Sequence, residues 1–181
     1  MELLDFAKTD TAARLRAAAK RGALSHALIF SGSGDCVSAA RYAAAAMECT
    51  AESKPCLACP ACRKVMQDIH PDVTFVRDAE HKELSIDTVR AMRADAFIRP
   101  NEGKRKIYII PRGQDMNESA QNALLKILEE PPDYGVFLIL STNAERLLPT
   151  IRSRCAELQL GPVAQDEALP FLRQNAPDKP D

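Results

Sequence analysis

The sequence predicts an α/β fold in which a five-stranded parallel sheet is flanked by helices. Three observations predict it. Short apolar runs alternate with amphipathic stretches along the chain, which is the pattern of strand–helix–strand units with both sheet faces covered. The first apolar run passes directly into a glycine-rich turn, Ser31-Gly32-Ser33-Gly34, and then into a helical pattern. One excursion from the alternation, residues 49–62, is crowded with cysteine.

A helix is expected over residues 11–21, rich in Ala, Leu and Arg and closed by Gly22. A buried strand over 26–30 feeds the glycine turn. The next helix, 37–49, carries Val37, Ala40, Ala44 and Met47 at helical spacing. A short helix over 62–69 is broken by His70-Pro71-Asp72, because proline lacks an N–H and restricts the residue before it. The second strand is 73–76. Ser85 can cap a helix reaching residue 98, with Ile86, Val89, Arg93 and Phe97 on one face and Pro100 beyond its end.

Strands three and four are expected at 106–110 and 136–141. Between them Asn117 can cap a helix to 130 that turns Ala120, Leu124, Ile127 and Leu128 inward, until Pro131-Pro132 stops it. A helical turn at 149–153 precedes the fifth strand, 156–160. Gly161-Pro162 reads as a linker. Residues 1–161 are therefore expected to form one α/β domain with a cysteine module, 49–62, inserted in it. Residues 162–181 are expected to begin a second, helical domain, with a helix over 166–174.

Bulk properties narrow the function. The 181 residues carry a formal net charge of -1, so a general basic footprint for nucleic acid is absent. No apolar run is long enough to cross a bilayer, and residues 1–10 lack the apolar core of a signal peptide. A cytoplasmic, membrane-independent protein is expected. In that reducing compartment six cysteines argue against a disulfide framework.

Four of the six form C-x6-C-x2-C-x2-C at Cys49, Cys56, Cys59 and Cys62. A C-x2-C spacing lets one tight turn present two thiolates to a single ion, and four thiolates suit tetrahedral zinc. Four sulfur ligands leave no open position for water, so this zinc is expected to be structural. Few apolar side chains are available to order the segment otherwise. Cys36 and Cys155 lack the spacing and read as ordinary small residues.

The strand, glycine turn and helix have the layout of a phosphate-binding loop. A working loop reads G-x-x-x-x-G-K-[ST], with backbone N–H groups around the phosphates and lysine on the β- and γ-phosphates. Here the stretch is Gly32-Ser33-Gly34-Asp35-Cys36-Val37-Ser38. The lysine is missing, and Asp35 adds negative charge where phosphates would sit. The third strand should end in acidic residues if it held Mg²⁺. Instead Ile107-Tyr108-Ile109-Ile110 runs into Pro111-Arg112. No bound nucleotide or ATP hydrolysis is expected at Gly32, Gly34 and Asp35.

The segment Asn117-Glu118-Ser119-Ala120-Gln121-Asn122-Ala123-Leu124-Leu125-Lys126-Ile127-Leu128-Glu129-Glu130-Pro131-Pro132 resembles the signature helix of bacterial clamp loaders. Leu147-Leu148-Pro149-Thr150-Ile151-Arg152-Ser153-Arg154-Cys155 resembles their S-R-C motif. Ser25-His26-Ala27-Leu28, the four cysteines and His70-Pro71-Asp72 extend the resemblance over nearly the whole chain. The degenerate loop and strand end favour the delta-prime branch over the hydrolysing, gamma/tau-type motor branch.

The resemblance implies an AAA+ (RecA-like) fold, with the helix after residue 161 opening a lid domain. It implies a non-catalytic subunit of the DNA polymerase III clamp loader, which loads the sliding clamp onto primer–template DNA. The implied partners are the motor (gamma/tau) and delta subunits, and through them the clamp and the DNA. The arginine of S-R-C, here Arg154, would act as an arginine finger on a neighbour's ATP, and an always-charged planar donor suits that task. Arg152 is a nearby second candidate. Thr142 or Asn143 stands where related ATPases carry a polar sensor, and Asn122 and Lys126 are candidates for DNA contact. Two other readings stay open: an active clamp-loader ATPase with an unusual phosphate loop, and a stand-alone zinc-dependent DNA-binding protein.

Overall fold

The computed structural model describes residues 3–78 and 84–161. The second-domain helix expected at 166–174 lies outside the described residues.

Five strands form one parallel sheet: β1 (Ala27–Gly32), β2 (Val73–Phe75), β3 (Lys106–Ile110), β4 (Gly135–Ser141) and β5 (Ala156–Leu160). Their order is β2-β3-β4-β1-β5. The three central strands are the most apolar, and every residue of β3 and β4 is buried. Edge strand β5 is polar on its outer side through Glu157 and Gln159, which discourages pairing with another chain.

Strand alternation divides the core in two. Leu28, Phe30, Ile107, Ile109, Val136 and Leu138 face one layer, and Ile29, Tyr108, Ile110, Phe137 and Ile139 the other. The first layer is completed by α1 (Leu3–Phe6), α2 (Asp10–Lys20), α3 (Cys36–Glu48) and α4 (Pro60–Met66). The second is completed by α5 (Ile86–Ala96), α6 (Glu118–Glu129) and α7 (Pro149–Arg152).

The expected helix ends were mostly set by identifiable caps. Gly22 takes φ +64° after α2, and its neighbour Ala23 donates an N–H to the Ala18 carbonyl at 2.9 Å, closing the helix in the left-handed manner that favours glycine. Ser85 and Asn117 cap α5 and α6 as expected. Helix α4 begins at Pro60, before the expected Cys62, because proline suits a first helical position and the Cys59 thiol caps it. Helix α1 was not anticipated; its four residues are too few to show a period.

Two inward faces differ from expectation. Helix α3 is buried on almost all sides, from Ala39 through Ala46 apart from Arg41, because it lies between the sheet and α1, α2 and α4. Alanine all round permits that close approach, whereas Val37, expected inward, is 36% exposed. Helix α5 buries Val89, Met92 and Ala96 and stops there. Phe97 and Ile98, expected on the helix, lie beyond its end and are 59% and 61% exposed. A helical period cannot be extended past the turn that leads to Pro100.

Two buried carboxylates fix the entry to β3. Asp72 accepts the backbone N–H groups of Asn101, Glu102 and Gly103 at 2.6, 2.9 and 2.7 Å. Glu48, at the end of α3, accepts those of Lys104 and Arg105 at 3.0 and 2.9 Å. Five consecutive amides are thus held by two side chains. Burial opposes ionisation of Asp72, but the three amides and the neighbouring His70 outweigh it and hold its pKa below the usual value. Replacing Asp72 with Ala is expected to cost about 2–4 kcal/mol, the worth of several hydrogen bonds to a charge. A depressed folded-state pKa stabilises above the unfolded value of about 3.9 and is lost as pH falls through the folded value. Urea denaturation should therefore show the wild-type advantage at pH 7 and its decline in strong acid. An equal gap at all pH values would contradict this account.

Candidate functional site

The strand, glycine turn and helix occur in the expected order, and the turn is short. Only Ser33, Gly34 and Asp35 separate β1 from α3. In G-x-x-x-x-G-K-[ST] the second glycine follows the first by five positions, and five positions after Gly32 is Val37, already inside the helix. The short connection lies against the end of β5. Gly34 donates its N–H to the Leu160 carbonyl at 3.3 Å, and a Cβ on Gly32 would stand 2.3 Å from that same oxygen. Asp35 has a structural task that its charge alone did not suggest: it caps α3, accepting from the Ser38 amide at 2.9 Å and its hydroxyl at 2.8 Å. The Gly34, Cys36 and Ser38 amides are thus taken by the Leu160 carbonyl, the Gly34 carbonyl and the Asp35 carboxylate.

At the end of β3, Arg112 adopts φ 63° and pairs with Asp115. At the end of β4, Asn143 is committed to its own loop: its backbone groups meet the Ser141 hydroxyl at 2.7 and 3.2 Å, and its side chain accepts the Glu145 amide at 2.9 Å. Thr142 is exposed.

Helix α6 positions the S-R-C segment through a residue that sequence reading did not single out. Gln121 is buried, and its amide group donates to the carbonyls of Met116 and Arg146 at 3.1 and 3.3 Å. Its carbonyl accepts the Leu148 N–H at 2.8 Å. One side chain therefore joins the start of α6 to the approach to α7. Asn122 and Lys126 lie on the exposed side of α6, four residues apart, and bring together a single positive charge.

The two candidate arginines diverge after α7. Arg152 turns to β5, 4.0 Å from Glu157, whose carboxylate also accepts the Ser31 hydroxyl at 2.7 Å. Arg154 turns to α6, where it pairs with Glu129 at 2.6 Å and donates to the Thr150 carbonyl at 3.0 Å.

The four spaced cysteines meet. Their Sγ atoms lie within 4.8 Å of one another, with Cys59 and Cys49 4.0 Å apart. Tetrahedral zinc with Zn–S bonds of about 2.3 Å requires sulfurs about 3.8 Å apart, so the donor set fits. The turns form as the spacing implies: the amides of Cys56, Cys59 and Cys62 point at the sulfurs of Cys49, Cys56 and Cys59, at 3.4, 3.3 and 3.5 Å. Burial opposes ionisation at Cys59, yet donors led by the Cys62 and Thr50 amides bring its pKa to about 6. Cys36 and Cys155 lie apart from the cluster.

A family model described as DNA polymerase III, delta subunit, matches residues 7–164. The chain is 36% identical over 127 residues to the DNA polymerase III subunit delta' of Pseudomonas aeruginosa, covering 69% of this chain and 38% of that protein. It is 33% identical over 120 residues to the delta' subunit of Buchnera aphidicola, covering 66% and 37%. It is also 32% identical over 146 residues to the gamma/tau subunit of Mycobacterium tuberculosis, covering 78% and 25%. The chain thus spans well under half the length of these relatives. Among solved structures, a DNA polymerase III gamma-subunit-related protein of Thermotoga maritima superposes with TM-score 0.61 at 23% identity, covering 90% of this chain and 52% of that one. The RuvB branch migration motor of the same organism gives 0.54 at 15% identity, covering 96% and 50%. The fold is the AAA+ type, and the chain belongs to the delta-prime/clamp-loader family of DNA polymerase III subunits.

Proposed function

We propose that this chain is a non-catalytic delta-prime subunit of the bacterial replicative clamp loader. It assists ATP-dependent loading of the sliding clamp onto primer–template DNA, and it lends Arg154 to the triphosphate held by a neighbouring motor subunit. The observation that carries the reading is the contrast between its two half-sites. Its own phosphate loop is packed against β5 and its Asp35 is committed to capping α3, whereas Arg154 stands partly exposed just beyond α7. A guanidinium so placed can meet phosphate oxygens on another chain. Structural zinc at Cys49, Cys56, Cys59 and Cys62 belongs to the same proposal.

The gamma/tau relatives, which match a larger share of the chain, favour a second reading as an ATP-hydrolysing subunit. Calorimetric titration with Mg-ATP, together with a phosphate-release assay, separates the two. The chain alone should bind no tighter than about 1 mM and release no phosphate. Unaided turnover, with contaminating ATPase excluded, would establish the motor reading in its place.

A further inference from the structure

We infer that Glu129 is a positioning residue for Arg154: a counter-ion that holds the guanidinium until a neighbour's triphosphate displaces it. The inference rests on the proposed finger role of Arg154 and adds a named competitor for that group.

The position of Glu129 is unfavourable for the helix that carries it. It lies in the last turn of α6, next to Glu130 at the C-cap. The carbonyl end of a helix is its negative pole, so two carboxylates there oppose the dipole. Positions that break a local rule are commonly ones with another task. Here the carboxylate reaches the Arg154 guanidinium at 2.6 Å, while the Thr150 carbonyl and the Ser153 hydroxyl take its other nitrogen at 3.0 and 3.4 Å. All of these groups come from two adjoining segments of one face.

The pair is built to exchange. The side chains are 37% and 42% exposed, so solvent screens them and an incoming ligand can reach them. A triphosphate with its several negative charges outcompetes one carboxylate for the same fork of donors. Before that moment Glu129 keeps the guanidinium beside α6, the helix to which Gln121 also fastens the approach to α7. Removing the competitor should therefore tighten the neighbour's hold on ATP, because the ion pair no longer has to be broken.

The test is steady-state ATPase of the assembled loader against ATP concentration, with Arg154→Ala, Glu129→Gln and the double substitution. Glu129→Gln should lower KM for ATP about two- to fivefold, the range set by an exposed ion pair, and by more than any change in kcat. The difference from wild type should shrink at high salt, which screens the pair. In the Arg154→Ala background Glu129→Gln should leave KM where it was. If Arg154→Ala depresses turnover while Glu129→Gln leaves KM unchanged, raises it, or acts equally without Arg154, the counter-ion role is overturned and the finger stands. If Arg154→Ala has no effect, the finger reading itself falls.

Discussion

Replacing Arg154 with Ala should lower ATP turnover at the neighbouring site of the assembled loader by about a thousandfold or more, the range over which arginine fingers accelerate phosphoryl transfer. The fold should be nearly untouched. Arg154 makes only partly exposed contacts, to Glu129 and to the Thr150 carbonyl, and a pair of that kind contributes at most about 1 kcal/mol. The variant should therefore assemble and unfold like wild type while turnover collapses, a combination that a structural role cannot produce. Arg154→Lys keeps the charge but loses the planar fork, so it should recover only part of the rate. Single-turnover measurements on the reconstituted loader, with thermal unfolding of the same preparations, read both quantities. Retained activity in Arg154→Ala with loss in Arg152→Ala would transfer the role to the arginine that now faces Glu157.

The elements legible in the sequence were those specified by neighbours in the chain. Lys106–Ile110 and Ala156–Leu160 occur as strands over the residues expected, because a short run between turn residues fixes both its ends. Ser85 and Asn117 cap helices because the hydrogen bond involved spans only three residues. The cysteine cluster was legible for a similar reason, since its spacing is itself the geometry of the turns. What escaped depends on distant pairs. Glu48 meets Lys104 across 56 positions, and Ser31 meets Glu157 across 126. Neither carboxylate differs in the sequence from a solvated surface acid. The sequence reading of Asp35 weighed only its charge and missed the cap of α3, although an acidic residue directly before a helical run is a sufficient signal. Glu129 carried a signal too, in two acids at the wrong end of a helix.

Metal removal should have the largest effect on local order. Zinc bound by four thiolates contributes on the order of 10 kcal/mol of apparent binding free energy to small folded units. Apart from the sulfurs, the segment between α3 and α4 is ordered by a small apolar set, the partly buried Ala51 and Leu57 and the buried Pro55. The purified protein should hold one zinc per chain. Cys59→Ala should remove two things together, a ligand and the cap of α4, which accepts the Cys62 amide. Hydrogen-exchange protection over 49–66 should then fall sharply, and the sheet should keep its protection because α2 and α3 on one face and α5 and α6 on the other still cover β1, β3 and β4. Zinc affinity should also weaken as pH falls, since each thiolate must lose a proton before it can bind. Cys36→Ala serves as the comparison, a cysteine outside the cluster whose loss should leave zinc content at one. Full protection of the segment in protein shown to contain no metal would mean that packing around Cys49 and Cys62 orders it unaided, and the zinc assignment would lose its physical basis.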